Sequence, residues 1–370
     1  MRPAIGPIIR STISAGRRPV LRNLHLLRAL AALGVVYFHI TSTAGLDLAW
    51  DVGSRGVDVF FVISGFIIAY IGAKKSEHFF VRRLIRIVPF YWAATLAVFA
   101  AATLLPQFFR STDASVQHLL PSLLFFPHLS ASGEVQPTLI LGWSLNFEMY
   151  FYVLFALALL LSTRWAPILC VAGIVAVVVV SELIGPVSTA FDFYARTTSL
   201  EFCYGIGVYY LLVWCERRKA AIAECAALKG IVVLALIASV AAIVLLEHAY
   251  KDAIPRYLAG GIPAAVIVLS ALLLERIYGL FSCSRLAWLL GEASYVIYLI
   301  HPYIVFGVLR LLLPRTGELS LAMDIVLIAG LISLTSAISI AIHLLFEKPV
   351  MAFLRRKLAP DAPPQPVAAT

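Results

Sequence analysis

The chain has 370 residues, of which 61% are hydrophobic and only 13% are charged. Soluble domains have about 45–50% apolar and about 25% charged residues, so the composition excludes a soluble globular protein, and the low charge excludes a disordered one. The net charge of +9 comes from short basic clusters between long apolar stretches, which is typical of membrane proteins rather than of nucleic-acid binders.

Long apolar stretches follow one another along the chain. A membrane-spanning helix needs about 20 mostly apolar residues, and the sequence predicts about ten such helices. We therefore expect an all-α fold, a polytopic membrane helix bundle. The predicted spans are 24–43, 56–73, 88–106, 138–161, 166–184, 199–215, 230–247, 258–274, 289–313 and 319–345.

The basic residues predict the orientation of this bundle. With the N-terminus in the cytoplasm and ten crossings, the inner segments hold about three times as many Lys and Arg residues as the outer segments. Both termini are therefore expected in the cytoplasm. The chain divides into a basic segment over 1–23, a transmembrane domain over 24–349 and a Pro-rich tail over 350–370 that we expect to be disordered.

One outer segment, about 107–137, differs from the other loops in its length and its apolar character. Its apolar stretch, Leu119–Pro127, is too short to span a bilayer and too apolar for a free loop. We expect a short helix there, either lying in the membrane interface or re-entering the bundle.

Ionisable side chains inside the predicted spans are few. Each costs at least about 2.5–3.5 kcal/mol at the bilayer centre, so each is a candidate functional residue. They are Arg28, His39, Asp58, Glu148, Glu201 and His301, with His343 and Glu347 at the inner end of the last span. A proline follows His301 directly, and another follows Glu347 two positions later, a pattern that is commonly structural.

Arg28 and His39 share one face of the first predicted helix. About three helical turns, or about 16 Å along the axis, separate them. A guanidinium near the cytoplasmic mouth and an imidazole deep on the same face suit a long anionic ligand that enters from the cytoplasm. Alternatively, Arg28 reaches the lipid headgroups and His39 hydrogen-bonds a neighbouring helix.

Arg83 and Arg86 lie in the predicted inner loop between the second and third spans. On a short helix, side chains three positions apart point the same way. Such a pair can bind phosphates with paired hydrogen bonds. The alternative is a basic anchor that contacts anionic lipid headgroups.

Two carboxylates are candidate partners for these cations. Glu148 follows Ser144 by one helical turn in the fourth span, where a buried carboxylate can orient a histidine or pair with an arginine. Asp58 is expected at about the depth of His39 and is a candidate partner for its imidazole. Alternatively, Glu148 belongs to an aromatic belt at the membrane interface. Ser64-Gly65, in the same span as Asp58, can be simply a notch for helix packing.

These segments together resemble integral-membrane acyltransferase family 3, in its stand-alone O-acetyltransferase form that modifies exopolysaccharide or lipopolysaccharide. The matching segments follow one another from about 24 to 349. They are Leu27–Ala32 with Phe38-His39, then Gly56–Phe66, Arg83-Leu84-Ile85-Arg86 as an Arg-x-x-Arg motif, Gly142–Glu148 as a Trp-Ser-Leu-x-x-Glu motif, and Ser294–His301.

The resemblance implies a bacterial inner-membrane enzyme that transfers an acyl group, usually acetyl, from acetyl-coenzyme A to a carbohydrate hydroxyl. The implied acceptor is a cell-surface carbohydrate or its lipid-linked precursor, and the implied partners are membrane lipid and polysaccharide-assembly proteins. Neither nucleic acid nor a metal ion is expected. Arg28, Arg83 and Arg86 would bind coenzyme A, and His39, oriented by Asp58 or Glu148, would act as general base or carry the acyl group briefly.

Two other functions fit the same physical features. A transporter or flippase for a lipid-linked sugar also has ten spans and charges inside the membrane. A membrane sensor or scaffold without turnover is the second. Such a transporter has no need of the ordered set of three arginines, His39 and Glu148, so this set favours the enzyme.

Overall fold

The computed structural model describes residues 21–46, 51–72, 78–109, 112–130, 133–250, 253–312 and 320–360. This part of the chain is helical, which confirms the all-α class. The helices are α1 (Arg22–Ala44), α2 (Gly56–Gly72), α3 (Phe79–Leu104), α4 (Val116–Leu123), α5 (Trp143–Leu161), α6 (Ala166–Ile184), α7 (Thr189–Tyr194), α8 (Leu200–Arg217), α9 (Lys219–Glu224), α10 (Ala226–Tyr250), α11 (Ile262–Arg276), α12 (Arg285–Leu312), α13 (Leu321–Ile342) and α14 (Lys348–Leu358). π-Helical turns at Tyr257–Gly261 and His343–Glu347 precede α11 and α14.

The bundle is a multi-pass membrane fold. Nine stretches of the described residues are long and apolar enough to cross a bilayer. They contain α1, α2, α3, α5, α6, α10, α11, α12 and the joined α13 and α14. The predicted sixth span corresponds to α8, an 18-residue helix that is not among these nine and that carries Glu201, Glu216 and Arg217.

Polar contacts hold one end of the bundle together, which we call the near end because α1 begins there. The backbone N–H of Arg22 donates to Glu275 Oε1 at 2.8 Å, and Arg276 Nε donates to Glu216 Oε1 at 2.6 Å. The start of α1, the end of α8 and the end of α11 therefore meet at the near end.

A second set of polar contacts marks the opposite, far end. There Arg256 forms an ion pair with Asp58, and Arg55 pairs with Glu247. Glu201, in the first turn of α8, packs against the π-helical turn before α11. Since Glu216 at the other end of α8 lies at the near end, α8 runs the length of the bundle and supplies the tenth crossing.

The third span begins earlier than predicted. The sequence places its start at 88, after an arginine-rich loop, whereas α3 is continuous from Phe79 and includes Pro89. Apolar residues at helical spacing extend the buried face of α3: Phe79 and Ile85 are both buried, and the Phe79 ring lies 5.2 Å from that of Phe155 on α5. Tertiary packing thus prolongs the helix, and Arg83 and Arg86 project from it into the bundle, with Arg83 over the ring of Phe79.

Two glycines let α2 and α8 approach closely. A Cβ atom on Gly65 would lie 2.1 Å from the carbonyl oxygen of Phe202, and a Cβ on Gly205 would lie 2.1 Å from that of Val62. Small residues at such crossings permit backbone contact between membrane helices. This crossing fixes α2, which carries part of the candidate site, against α8.

Two further predictions concern the outer segment, where a short helix is expected, and the C-terminal tail, which is expected to be disordered from 350. In the outer segment, α4 is a short helix capped by Ser115, and the hydroxyl of Tyr91 on α3 donates to the carbonyl oxygen of Ser122 at 3.0 Å. The predicted tail starts at 350, but α14 continues to Leu358. Residues 1–20, most of the predicted basic segment, and 361–370 lie outside the described residues.

Candidate active site

A cavity of about 110 Å³ lies inside the bundle among α1, α2, α3, α5 and α12. Its charged lining consists of Arg28, Arg83, Arg86 and Glu148, and serine and tyrosine hydroxyls complete it. The structure thus brings together four of the site residues predicted from the sequence, although they come from three different helices. We call this space the arginine cavity.

Within the described part of the chain, two of its three guanidinium groups lack a carboxylate partner. Arg86 donates to Glu347 Oε1 at 2.7 Å, and Glu347 also contacts His343 Nδ1 at 2.6 Å. Arg83 lies over the ring of Tyr152 at 5.9 Å, and its Nε is buried with no hydrogen bond from the described residues. Among those residues, no ion pair is formed by Arg28 either. The cavity wall therefore carries three guanidinium groups against one carboxylate, and positive charge is in excess.

Glu148 is the acidic group of the cavity wall. Its Oε1 accepts hydrogen bonds from Ser64 Oγ at 3.0 Å and from the hydroxyl of Tyr152, one turn further along α5. Ser144, one turn earlier, bonds the hydroxyl of Tyr298 at 2.8 Å. Because these hydroxyls hold Glu148 and Ser144 in place, both face the cavity on the side that the sequence predicts.

His39 lies apart from the arginine cavity, further along α1 towards the far end. Its imidazole is half-buried, and its Nδ1 lies 3.0 Å from the carbonyl oxygen of Val35 and 3.2 Å from Nε2 of His301. The two rings meet edge to face at 4.9 Å. The expected carboxylate partner, Asp58 or Glu148, is thus replaced by a second histidine.

Asp58 has a different partner from the one expected. It is fully buried, and its two oxygens accept from Nε and one terminal nitrogen of Arg256 at 2.9 and 3.0 Å. A Cβ atom on Gly260 would lie 2.8 Å from Asp58 Oδ1, so the glycine makes room for this pair. A guanidinium thus occupies both oxygens of Asp58, and among the described residues no hydrogen bond joins Asp58 to His39.

Several residues of the site escape sequence reasoning. Arg256 counts only as a loop charge in the sequence, and Tyr298 lies in the Ser294–His301 motif but is uncharged at neutral pH and so is not among the candidate charged residues. His301 and Glu347 are visible as ionisable residues within or beside a span, but the neighbouring prolines favour a structural interpretation. Their partners, His39 and Arg86, show that this interpretation is incomplete.

Comparison with known proteins identifies the class and then the family. A multi-pass bundle with a charged internal cavity and these motifs is that of a membrane-embedded acyltransferase. The family model of acyltransferase family 3, described as an acyltransferase domain, matches residues 21–344, and the chain belongs to this family. It is therefore a membrane acyltransferase, and the transporter and scaffold alternatives fall away.

Three curated proteins illustrate the range of its relatives. The chain is 33% identical to the exopolysaccharide production protein ExoZ of Rhizobium meliloti (strain 1021), over 85% of this chain and 94% of ExoZ. It is 28% identical to the acyltransferase MdmB of Streptomyces mycarofaciens, over 94% and 95% of the two chains. It is 26% identical to the peptidoglycan O-acetyltransferase OatA of Listeria monocytogenes serovar 1/2a (strain ATCC BAA-679 / EGD-e), over 77% of this chain and 49% of OatA. No solved structure matches the chain.

Proposed function

We propose that the chain transfers an acetyl group from acetyl-coenzyme A to a hydroxyl group of a cell-surface carbohydrate or of its lipid-linked precursor. The observation that carries this proposal is the arginine cavity, in which Arg28 and Arg83 have no carboxylate partner among the described residues. An unpaired charge in a low-dielectric interior is costly, so such a site favours an anionic ligand.

Coenzyme A has the chemistry that this cavity requires. Its phosphates are anionic, and guanidinium groups bind phosphate oxygens through paired, charge-assisted hydrogen bonds. Arg86 is already held by Glu347 and is thereby oriented, while Arg83 Nε has no hydrogen bond from the described residues and Arg28 forms no ion pair with them. The phosphates would sit at the arginines, with the pantetheine arm extended along α1.

His39 supports the second part of the proposal, the activation of the acceptor hydroxyl. It lies on the same helix as Arg28, about 16 Å further along the axis, which suits an extended ligand with phosphates at one end and a thioester at the other. His39 would accept the proton of the acceptor hydroxyl as its oxygen attacks the thioester carbonyl. The carbon–sulfur bond breaks, and the departing thiolate takes up a proton to give free coenzyme A.

The acceptor and the cellular setting are extensions of this proposal. Of the relatives, ExoZ is described as an exopolysaccharide production protein and matches over 94% of its length, which supports exopolysaccharide as the acceptor class. The surplus of Lys and Arg in the alternate segments supports cytoplasmic termini in a bacterial inner membrane. Comparing the O-acetyl content of surface glycans by proton NMR, in cells with and without the gene, tests the acceptor class.

Donor binding tests the arginine cavity directly. Purified protein should bind coenzyme A, and Arg83→Ala should raise the Kd at least about tenfold, equivalent to about 1.4 kcal/mol, because a phosphate loses its guanidinium partner. Arg164→Ala removes an exposed arginine outside the cavity and serves as the matched control with an unchanged Kd. Equal affinity of Arg83→Ala and wild-type protein would contradict the donor site.

A further inference from the structure

The second histidine of the site is completely buried. His301 lies in α12 with no solvent exposure, and its Nε2 is 3.2 Å from Nδ1 of His39. Its other nitrogen, Nδ1, lies 3.0 Å from the carbonyl oxygen of Ile297, one turn earlier in the same helix. The two imidazoles therefore form a chain that begins at a backbone carbonyl of α12 and ends on α1.

The acceptors along this chain determine where the protons lie. A carbonyl oxygen only accepts, so the nitrogen that bonds Ile297 must carry the hydrogen, and Nδ1 of His301 is the donor. In a neutral imidazole the other nitrogen then holds a lone pair. His301 thus presents an acceptor, Nε2, to His39.

The same reasoning assigns the tautomer of His39. Its Nδ1 faces two acceptors, Nε2 of His301 and the carbonyl oxygen of Val35 at 3.0 Å. Nδ1 of His39 therefore carries the hydrogen, and Nε2 of the neutral ring is left with its lone pair. Nε2 is the nitrogen that can accept a proton from a substrate.

We infer that His301 is a positioning residue that holds His39 in the tautomer and ring orientation in which Nε2 is the reacting nitrogen. This inference rests on the proposed function, in which His39 is the general base. When Nε2 takes the hydroxyl proton, the Nδ1–H of the resulting imidazolium still donates to His301 and Val35. His301 thus performs the orienting part of the role that a buried carboxylate has in Ser-His-Asp enzymes, without supplying its negative charge.

α12 connects this histidine pair with the arginine cavity. Tyr298, three positions before His301 in α12, lines the cavity, and its ring lies 6.3 Å from that of His301. Its hydroxyl is bonded to Ser144 of α5. α12 thus carries both a wall of the arginine cavity and His301, which orients the base. It thereby fixes the position of His39 relative to a donor bound in the cavity.

Two substitutions of His301 separate positioning from packing. His301→Phe keeps a ring of similar size but removes the acceptor, whereas the amide oxygen of His301→Gln can take the place of Nε2. We measure kcat and KM for acetyl-coenzyme A with water as acceptor, as release of free coenzyme A, together with the Kd for coenzyme A. Thr335→Val is the matched control, since Thr335 of α13 is fully buried and its hydroxyl has no partner among the described residues.

The expected result is a loss of turnover without a loss of donor binding. Loss of an orienting partner in Ser-His-Asp enzymes lowers kcat about 10⁴-fold. Because Val35 still accepts from His39, we expect a smaller decrease of about 10²-fold for His301→Phe, with KM and Kd within about twofold. His301→Gln should retain at least about ten times the kcat of the Phe variant, and Thr335→Val should match the wild-type protein.

Other outcomes would overturn the inference. Equal kcat values for the Phe and Gln variants, or a wild-type kcat for the Phe variant, exclude a positioning role. If the Phe variant does not accumulate, His301→Asn replaces it, since its shorter amide reaches the position of Nδ1 but not that of Nε2, and it must show the same loss. Wild-type protein that binds coenzyme A but never turns over would instead refute the proposed function, and the inference with it.

Discussion

His39 is the residue on which the proposed chemistry depends, and its replacement separates proton transfer from donor binding. We predict that His39→Gln lowers the rate of acetyl transfer by about 10²–10⁴-fold, the usual contribution of a general base. The arginine cavity is unchanged in this variant, so the Kd for coenzyme A should stay within about twofold. His128→Gln, in the outer segment, is the matched control and should keep full activity. Normal turnover of His39→Gln would remove this residue from the mechanism.

The pair of Asp58 and Arg256 leads to a prediction about the stability of the bundle instead of its catalytic rate. We predict that Arg256→Gln destabilises the bundle by about 2 kcal/mol, less than the about 3–5 kcal/mol of a fully buried broken pair, because 33% of the Arg256 side chain is exposed. The double variant with Asp58→Asn should recover most of the loss. The midpoint of thermal unfolding in detergent measures both effects.

Activity of the single variant Asp58→Asn then distinguishes two roles for this carboxylate. If Asp58 is structural, the unfolding midpoint and the activity should fall together. A loss of turnover at unchanged stability and unchanged donor affinity would show instead that Asp58 takes part in the chemistry, as the sequence predicts.

At the residue scale, the sequence identifies candidate ionisable side chains but does not show which of them interact with each other. The cost of burying charge in a bilayer singles out Arg28, Glu148 and Asp58, and the structure places the first two in one cavity. The partner of Asp58, however, is Arg256, far away in the chain and outside the predicted spans. Such pairs depend on how helices pack in three dimensions, which composition and spacing do not show.

At the scale of single elements, the crossing of α2 and α8 depends on the absence of a side chain. We predict that Gly205→Ala destabilises the bundle by about 1–3 kcal/mol, because its Cβ would overlap the carbonyl oxygen of Val62 and force the helices apart. Gly207→Ala lies in the same helix, where a Cβ would meet nothing within 4 Å, so it should leave stability unchanged or slightly higher. Equal unfolding midpoints for the two variants would contradict the close crossing.

The helices themselves follow from hydropathy, but their ends do not. The third predicted span starts at 88 because the arginines before it lower the local hydropathy, whereas α3 starts at Phe79 because its apolar face packs on α5. In α8, by contrast, charged residues lie within a helix that crosses the bundle. It carries two glutamates, yet Glu201 is buried at the far end, next to the π-helical turn before α11.

At the scale of the whole molecule, the count of crossings and the direction of the bundle are separate questions. The count is supported by contacts at both ends, since Arg276 meets Glu216 at the near end and Arg256 meets Asp58 at the far end. The direction rests only on the distribution of Lys and Arg along the sequence. It matters for function because the arginine cavity must open towards the compartment that supplies coenzyme A.

Two native cysteines allow a direct test of that direction. Cys225 and Cys283 are exposed and lie on the predicted cytoplasmic side. We predict that a membrane-impermeant maleimide labels them in inverted vesicles but not in intact spheroplasts. Glu134→Cys, in a background with both native cysteines replaced by serine, should show the opposite pattern because Glu134 is exposed in the outer segment. Reversed labelling would turn the arginine cavity away from cytoplasmic coenzyme A and so contradict both the orientation and the proposed donor.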